Sequence, residues 1–160
     1  MCQNEIEIKN GKINFICKQS NCQHSCCGPF TGISSELKSV DNRPFSEIVL
    51  TDEDYALVCE NGYEHLTEVG FSEFNKKTYH KMSLKDDGTC KALVDGKCSI
   101  YKVSPTLCKA FPFYFDMFSG LCAISCEGFS DENSVDLEEV KPFLKNAEKM
   151  YRFWLDFYSK

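Results

Sequence analysis

The residues with the clearest chemistry are the cysteines of one short run, Phe15-Ile-Cys17-Lys-Gln-Ser-Asn-Cys22-Gln-His-Ser-Cys26-Cys27, which holds four of the chain's eleven. Thiolates are soft, negatively charged donors suited to zinc, iron and iron–sulfur clusters, and a bound cation offsets the cost of deprotonating several of them together. A cysteine that merely fills a core falls on an apolar face. Here the neighbours are Lys18, Gln19, Ser20, Asn21, Gln23, His24 and Ser25, with no apolar periodicity.

A disulfide framework is the other ordinary use of cysteine, and it belongs to oxidising compartments. The first residues, Met1-Cys2-Gln3-Asn4-Glu5-Ile6-Glu7, carry no basic segment, apolar stretch or cleavage site, and an odd cysteine count leaves one thiol over. The expectation is therefore a cytoplasmic protein with reduced, ligating thiols.

At 160 residues and 42% hydrophobic content, the chain fits one α+β domain that buries a real core. A net charge of −6 with interleaved lysines and acids argues against nucleic acid, which calls for a dense basic face. Paired C-x2-C knuckles and a spaced histidine pair are both absent, and the apolar stretches are too short for a bilayer. No nucleic acid and no membrane are expected as partners.

The elements that must position the thiols are short. Ile6, Ile8, Ile13 and Phe15 alternate across Asn10-Gly11, predicting a hairpin that delivers Cys17. Gly28-Pro29, Gly32 and Asp41-Asn42-Arg43-Pro44 punctuate loops. Thr51-Asp52-Glu53-Asp54 is a helix start, with an end at Asn61-Gly62 and Cys59 as a packing residue within it. Strand-like alternation from Thr78 to Val94, broken at Asp86-Asp87-Gly88 and followed by Asp95-Gly96-Lys97, sets Cys90 and Cys98 each after a tight turn. Such cysteines can face one another across strands. From Asp136 to Tyr158 the apolar spacing is that of a covering helix, with Pro142 near its beginning and an aromatic face that belongs to the core.

Cys90-Lys-Ala-Leu-Val-Asp-Gly-Lys-Cys98-Ser-Ile-Tyr101-Lys-Val-Ser-Pro105-Thr-Leu-Cys108-Lys-Ala-Phe111-Pro112-Phe113, taken with the early run, resembles the CxxCxxCC family, the YkgJ-type zinc- or iron-chelating domain. The resemblance runs from about residue 15 to 128 and includes Leu93, Ile100, Tyr101 and Pro105 as well as the cysteines. It implies as metal ligands Cys17, Cys22, Cys26, Cys27, Cys90, Cys98, Cys108 and Cys126. Two departures stand out. The early spacers hold four and three residues, longer than the family name states, and Ser104 and Lys109 replace two arginines. Lysine cannot reproduce a planar bidentate fork, so a substrate or anion role of those arginines does not carry over.

Eight thiolates suffice for two four-ligand sites, or for one site plus functional thiols. In extended backbone, Cys26 and Cys27 point to opposite faces and so serve two centres more easily than one. An iron–sulfur cluster is preferred to zinc, because a compact cysteine loop closed by distant cysteines is a cluster-wrapping arrangement. His24 is expected beside the ligands, Cys122 as a reserve ligand, Cys2 free, and Phe111, Pro112 and Phe113 as a shield against solvent.

Three functions follow. The first is a module that stores, delivers or senses the metal or cluster. The second is a cluster-bearing modifying enzyme or accessory with a protein or peptide partner, since relatives of this family include S-adenosylmethionine-dependent flagellin lysine N-methylases. No Gly-rich strand-to-helix loop is present for the methyl donor. The third is an interaction domain built on structural zinc. A hydrolase finds no support, because His24, His65 and His80 indicate no base–nucleophile pair.

Overall fold

Two Asn/Asp-Gly turns show how this chain makes structure from few residues. A computed structural model describes residues 5–18, 27–28, 39 and 42–159. In it Asn10 and Gly11, at φ 53° and 73°, close β1 (Ile8–Lys9) on β2 (Lys12–Ile13), and Asp95 and Gly96, at φ 50° and 73°, close β6 (Leu93–Val94) on β7 (Lys97–Cys98). Left-handed φ at both central residues matches the twist of the flanking strands, as the sequence predicts. The fold is a small mixed α/β one with short sheets and a C-terminal helix, and it groups into two compact units, residues 27–108 and residues 1–26 with 109–160.

In the unit of residues 27–108, Thr51 caps helix α1 (Asp52–Glu60), accepting from Asp54 N while Asp54 returns a carboxylate oxygen to Thr51 N. This capping box satisfies two orphan amides and contributes about 1 kcal/mol. Helix α1 packs on β3 (Val49–Leu50), an edge of the antiparallel sheet β3-β5-β4 formed with β4 (Thr67–Ser72) and β5 (Lys77–Met82). Ile48, Val49, Leu50, Val58, Met82 and Ile100 are among its buried apolar residues. Strand β4 is absent from the sequence reading because Val69 and Phe71 face outward and invert the expected alternation. Gly70 is obligatory there, since a Cβ would lie 2.3 Å from the ring of its cross-strand partner Tyr79.

The other unit is built on Phe15. Its ring lies 5.0 Å from Phe113, 4.8 Å from Phe129 and 5.8 Å from Phe143, beside Ile13, Ala123, Val140 and Ala147. Strand β8 (Phe113–Asp116) pairs with β9 (Gly120–Ala123), and β10 (Val135–Asp136) joins β2. Helix α3 (Leu137–Ser159) then lays Val140, Phe143, Leu144 and Ala147 on this core. Pro142 lies near the beginning of the helix, as expected, in its second turn, where it forgoes a backbone bond to Glu138 while Phe143 beside it packs on the core. No described helix is long and apolar enough to cross a membrane.

Phe15 and Gly128 tie the first segment to the late one. Phe15 bridges Phe129, Ile16 N donates to Gly128 O at 2.9 Å, and a Cβ on Gly128 would lie 2.6 Å from Ile16 O and from the Phe15 ring. Neither obstacle is a flexible end. Gly128→Ala is expected to cost about 1–3 kcal/mol, as overpacking does, read as a lower urea midpoint with unchanged m-value.

Candidate metal centre

Cys90 closes the Lys85–Thr89 turn as an isolated bridge to Leu84, and Cys98 ends β7. The pairing of Leu93 with Cys98, and the 2.8 Å bond from Cys90 N to Cys27 O, draw Cys27, Cys90 and Cys98 into one neighbourhood. Cys27 and Cys98 share a thiol hydrogen bond, and Cys98 lies within electrostatic reach of Cys90. The two turn-following cysteines do not pair directly across strands, since Cys90 bridges Leu84 and Cys98 pairs with Leu93, but they lie within electrostatic reach of each other and Cys27 adjoins both.

The surroundings hold the proton on both Cys90 and Cys98, against backbone amides that pull the other way. At Cys98 the hydrogen bond with Cys27 and then burial hold the proton on, far above the ordinary thiol range, while the Ile100 amide works the other way. Burial raises the Cys90 thiol first, and the Ala92 and Leu93 amides, together with the Lys85 ammonium, oppose it. Cys126 Sγ accepts from Gly128 N at 3.4 Å. Cys90, Cys98 and Cys126 thus share one device, a turn in which the amide two residues on is aimed at sulfur. Such donors favour the thiolate, and around clusters they tune the metal.

Cys17 is exposed, one residue beyond the Ile16–Gly128 bond, so it and Cys126 lie on adjoining segments of one unit. Cys108 is half-buried on the five-residue helix α2 (Thr106–Ala110). Cys22, Cys26, His24 and Cys2 fall outside the described residues. Among those described, no group of three or more His, Cys, Asp or Glu side chains is gathered tightly enough to hold a metal ion.

Three other residues singled out in the sequence are also placed by the fold. Cys122, read as a reserve ligand, is fully buried and disulfide-bonded, which takes it out of the reduced set. Phe113 belongs to the Phe15 core, against which Cys126 also packs. Cys59, half-buried as a packing residue would be, also hydrogen-bonds Tyr55, and that contact first and burial second push the phenol up to about 12. Tyr55 also donates to Glu64 at 3.2 Å and stacks on His80 at 3.5 Å.

Comparison with family models, curated proteins and solved structures gives no significant match. The thiols differ enough in access to be ranked. In metal-free protein, alkylation followed by mass spectrometry should label exposed Cys17 early and Cys27 and Cys90, 7% and 4% exposed, late, with Cys122 unlabelled until reduction. Early labelling of Cys90 would contradict this burial.

Proposed function

We propose that the protein is a cysteine-ligated metal-binding protein of YkgJ-like type, holding an iron–sulfur cluster in preference to zinc, with Cys17, Cys22, Cys26, Cys27, Cys90, Cys98, Cys108 and Cys126 as ligands. The observation that carries the reading is the repeated amide-to-sulfur turn at Cys90, Cys98 and Cys126, with Cys27 bonded to Cys98. A thiol that only fills space has no use for an aimed N–H donor. A thiolate bound to a cation does, because the donor offsets the burial that otherwise disfavours its charge.

The division of the chain supports two centres. One unit ends at Cys26 and the other begins at Cys27, a boundary that fits a division of the adjacent pair between two centres. By unit, the eight candidate ligands divide into Cys27, Cys90, Cys98 and Cys108 on one side and Cys17, Cys22, Cys26 and Cys126 on the other. Seven free described thiols fit a reducing, cytoplasmic setting, against which the Cys122 disulfide stands as an exception. A cluster or zinc bound in this way would store, deliver or sense the metal.

Anaerobic purification with iron, zinc and sulfide quantified per chain tests the proposal. Iron with acid-labile sulfide and a broad band near ~400 nm is expected, whereas colourless protein with stoichiometric zinc removes the cluster and leaves zinc handling or structural zinc. Cys98→Ser and Cys126→Ser should each lower metal content by about half, at four ligands per centre, and together abolish it. Full retention in both variants would defeat the metal assignment.

A further inference from the structure

Cys27 and Cys98 meet through sulfur while both are thiols. Each is a free cysteine, and a hydrogen bond joins the two side chains. The backbone holds them there. Cys98 ends the β6-β7 hairpin with Leu93 as its cross-strand partner, and Ser99 N donates to Ala92 O at 2.8 Å. Leu93 N in turn donates to Cys90 O at 2.9 Å, and Cys90 N to Cys27 O at 2.8 Å. A run of backbone pairings thus leads from one sulfur-bearing residue to the other. Side chains already in contact meet the first demand of a disulfide, which is closeness of the two Cβ atoms.

Access to the two differs. Cys27 is 7% exposed whereas Cys98 is half-buried, so a disulfide arriving from solvent meets Cys98 first. We propose that Cys27 and Cys98 are a redox-active dithiol, which closes to an intramolecular disulfide by exchange with a small disulfide of the glutathione type. Cys98 loses its proton to water, and its sulfur attacks one sulfur of glutathione disulfide, expelling a glutathione thiolate and leaving a mixed disulfide. Cys27, deprotonated in its turn, attacks the Cys98 sulfur, forms the Cys27–Cys98 bond and expels the second glutathione thiolate. The two leaving thiolates take up the two protons. Two protein thiols are oxidised by two electrons, and one glutathione disulfide is reduced to two thiols. The inference stands on the contact between the thiols and needs no metal. On the proposed metal reading, the same bond withdraws two candidate ligands, so oxidation releases the metal and bound metal keeps the pair reduced.

Glutathione disulfide added to the full chain in the presence of a chelator tests this, with differential alkylation and peptide mapping to locate each oxidised cysteine. The expected result is a Cys27–Cys98 cross-link as the first new intramolecular disulfide, reversed by dithiothreitol, while Cys59 still alkylates. Cys90→Ser should keep that cross-link, and Cys27→Ser should lose it. With both substitutions together, glutathione should accumulate on Cys98, because no resolving thiol is then at hand. Three results would overturn the proposal: thiols remaining at Cys27 and Cys98 once exposed Cys17 carries glutathione, Cys98 cross-linked chiefly to another cysteine, or a scatter of disulfides without preference. The same reaction with Zn(II) added first separates this inference from the metal reading. Suppression supports both. A cross-link that forms as fast with Zn(II) as without it supports the dithiol and removes Cys27 and Cys98 from the ligands.

Discussion

Burial works against a thiolate, and at Cys90 and Cys98 aimed backbone amides are the counterweight. Everything that shapes this region answers to that balance. A sulfur carried on a flexible loop would find water instead of a fixed donor. Short turns closed by Gly88 at φ 84° and Gly96 at φ 73° hold the sulfur and the amide two residues on in one rigid unit. On the proposed metal reading, a cation would meet donors already in place and avoid much of the reorganisation that weakens binding.

Regular structure is scarce here, so long-range ties carry the architecture. Strands of two residues cannot stand alone. The Asp54 carboxylate joins α1 to α2, and Glu47 collects the Tyr79 hydroxyl at 2.6 Å and the Lys81 ammonium at 3.1 Å beside the sheet. In the other unit the tie is apolar, with Phe15 edge-on to Phe113 and Phe143, and Gly128 kept bare so that the backbone can approach. Among the described cysteines, Cys17, Cys108 and Cys126 each lie two residues from such a tie, at Phe15, Thr106 and Gly128.

Local chemistry made much of this legible. Asn10-Gly11, Asp95-Gly96 and Thr51 announce their turns and cap because positive φ and an orphan amide are satisfied within a few residues. The position of Cys90 and Cys98 after turns was readable for the same reason. Strand β4 and the β8-β9 hairpin were not, since Val69, Phe71, Met117 and Phe118 are exposed and obscure the alternation that marks a strand.

The sequence by itself determined the candidate ligand types, the hairpin turns, the capped helix and the long C-terminal helix, all set by interactions between near neighbours. Tertiary structure alone decided that Cys27 meets Cys98, that Cys122 is withdrawn into a disulfide, and that Phe113 serves the core. It also decided that Asp54 reaches Thr106. These contacts join residues many positions apart, and no local spacing encodes them. They exist because burying polar groups and thiols is unfavourable until the folded chain brings a partner to each.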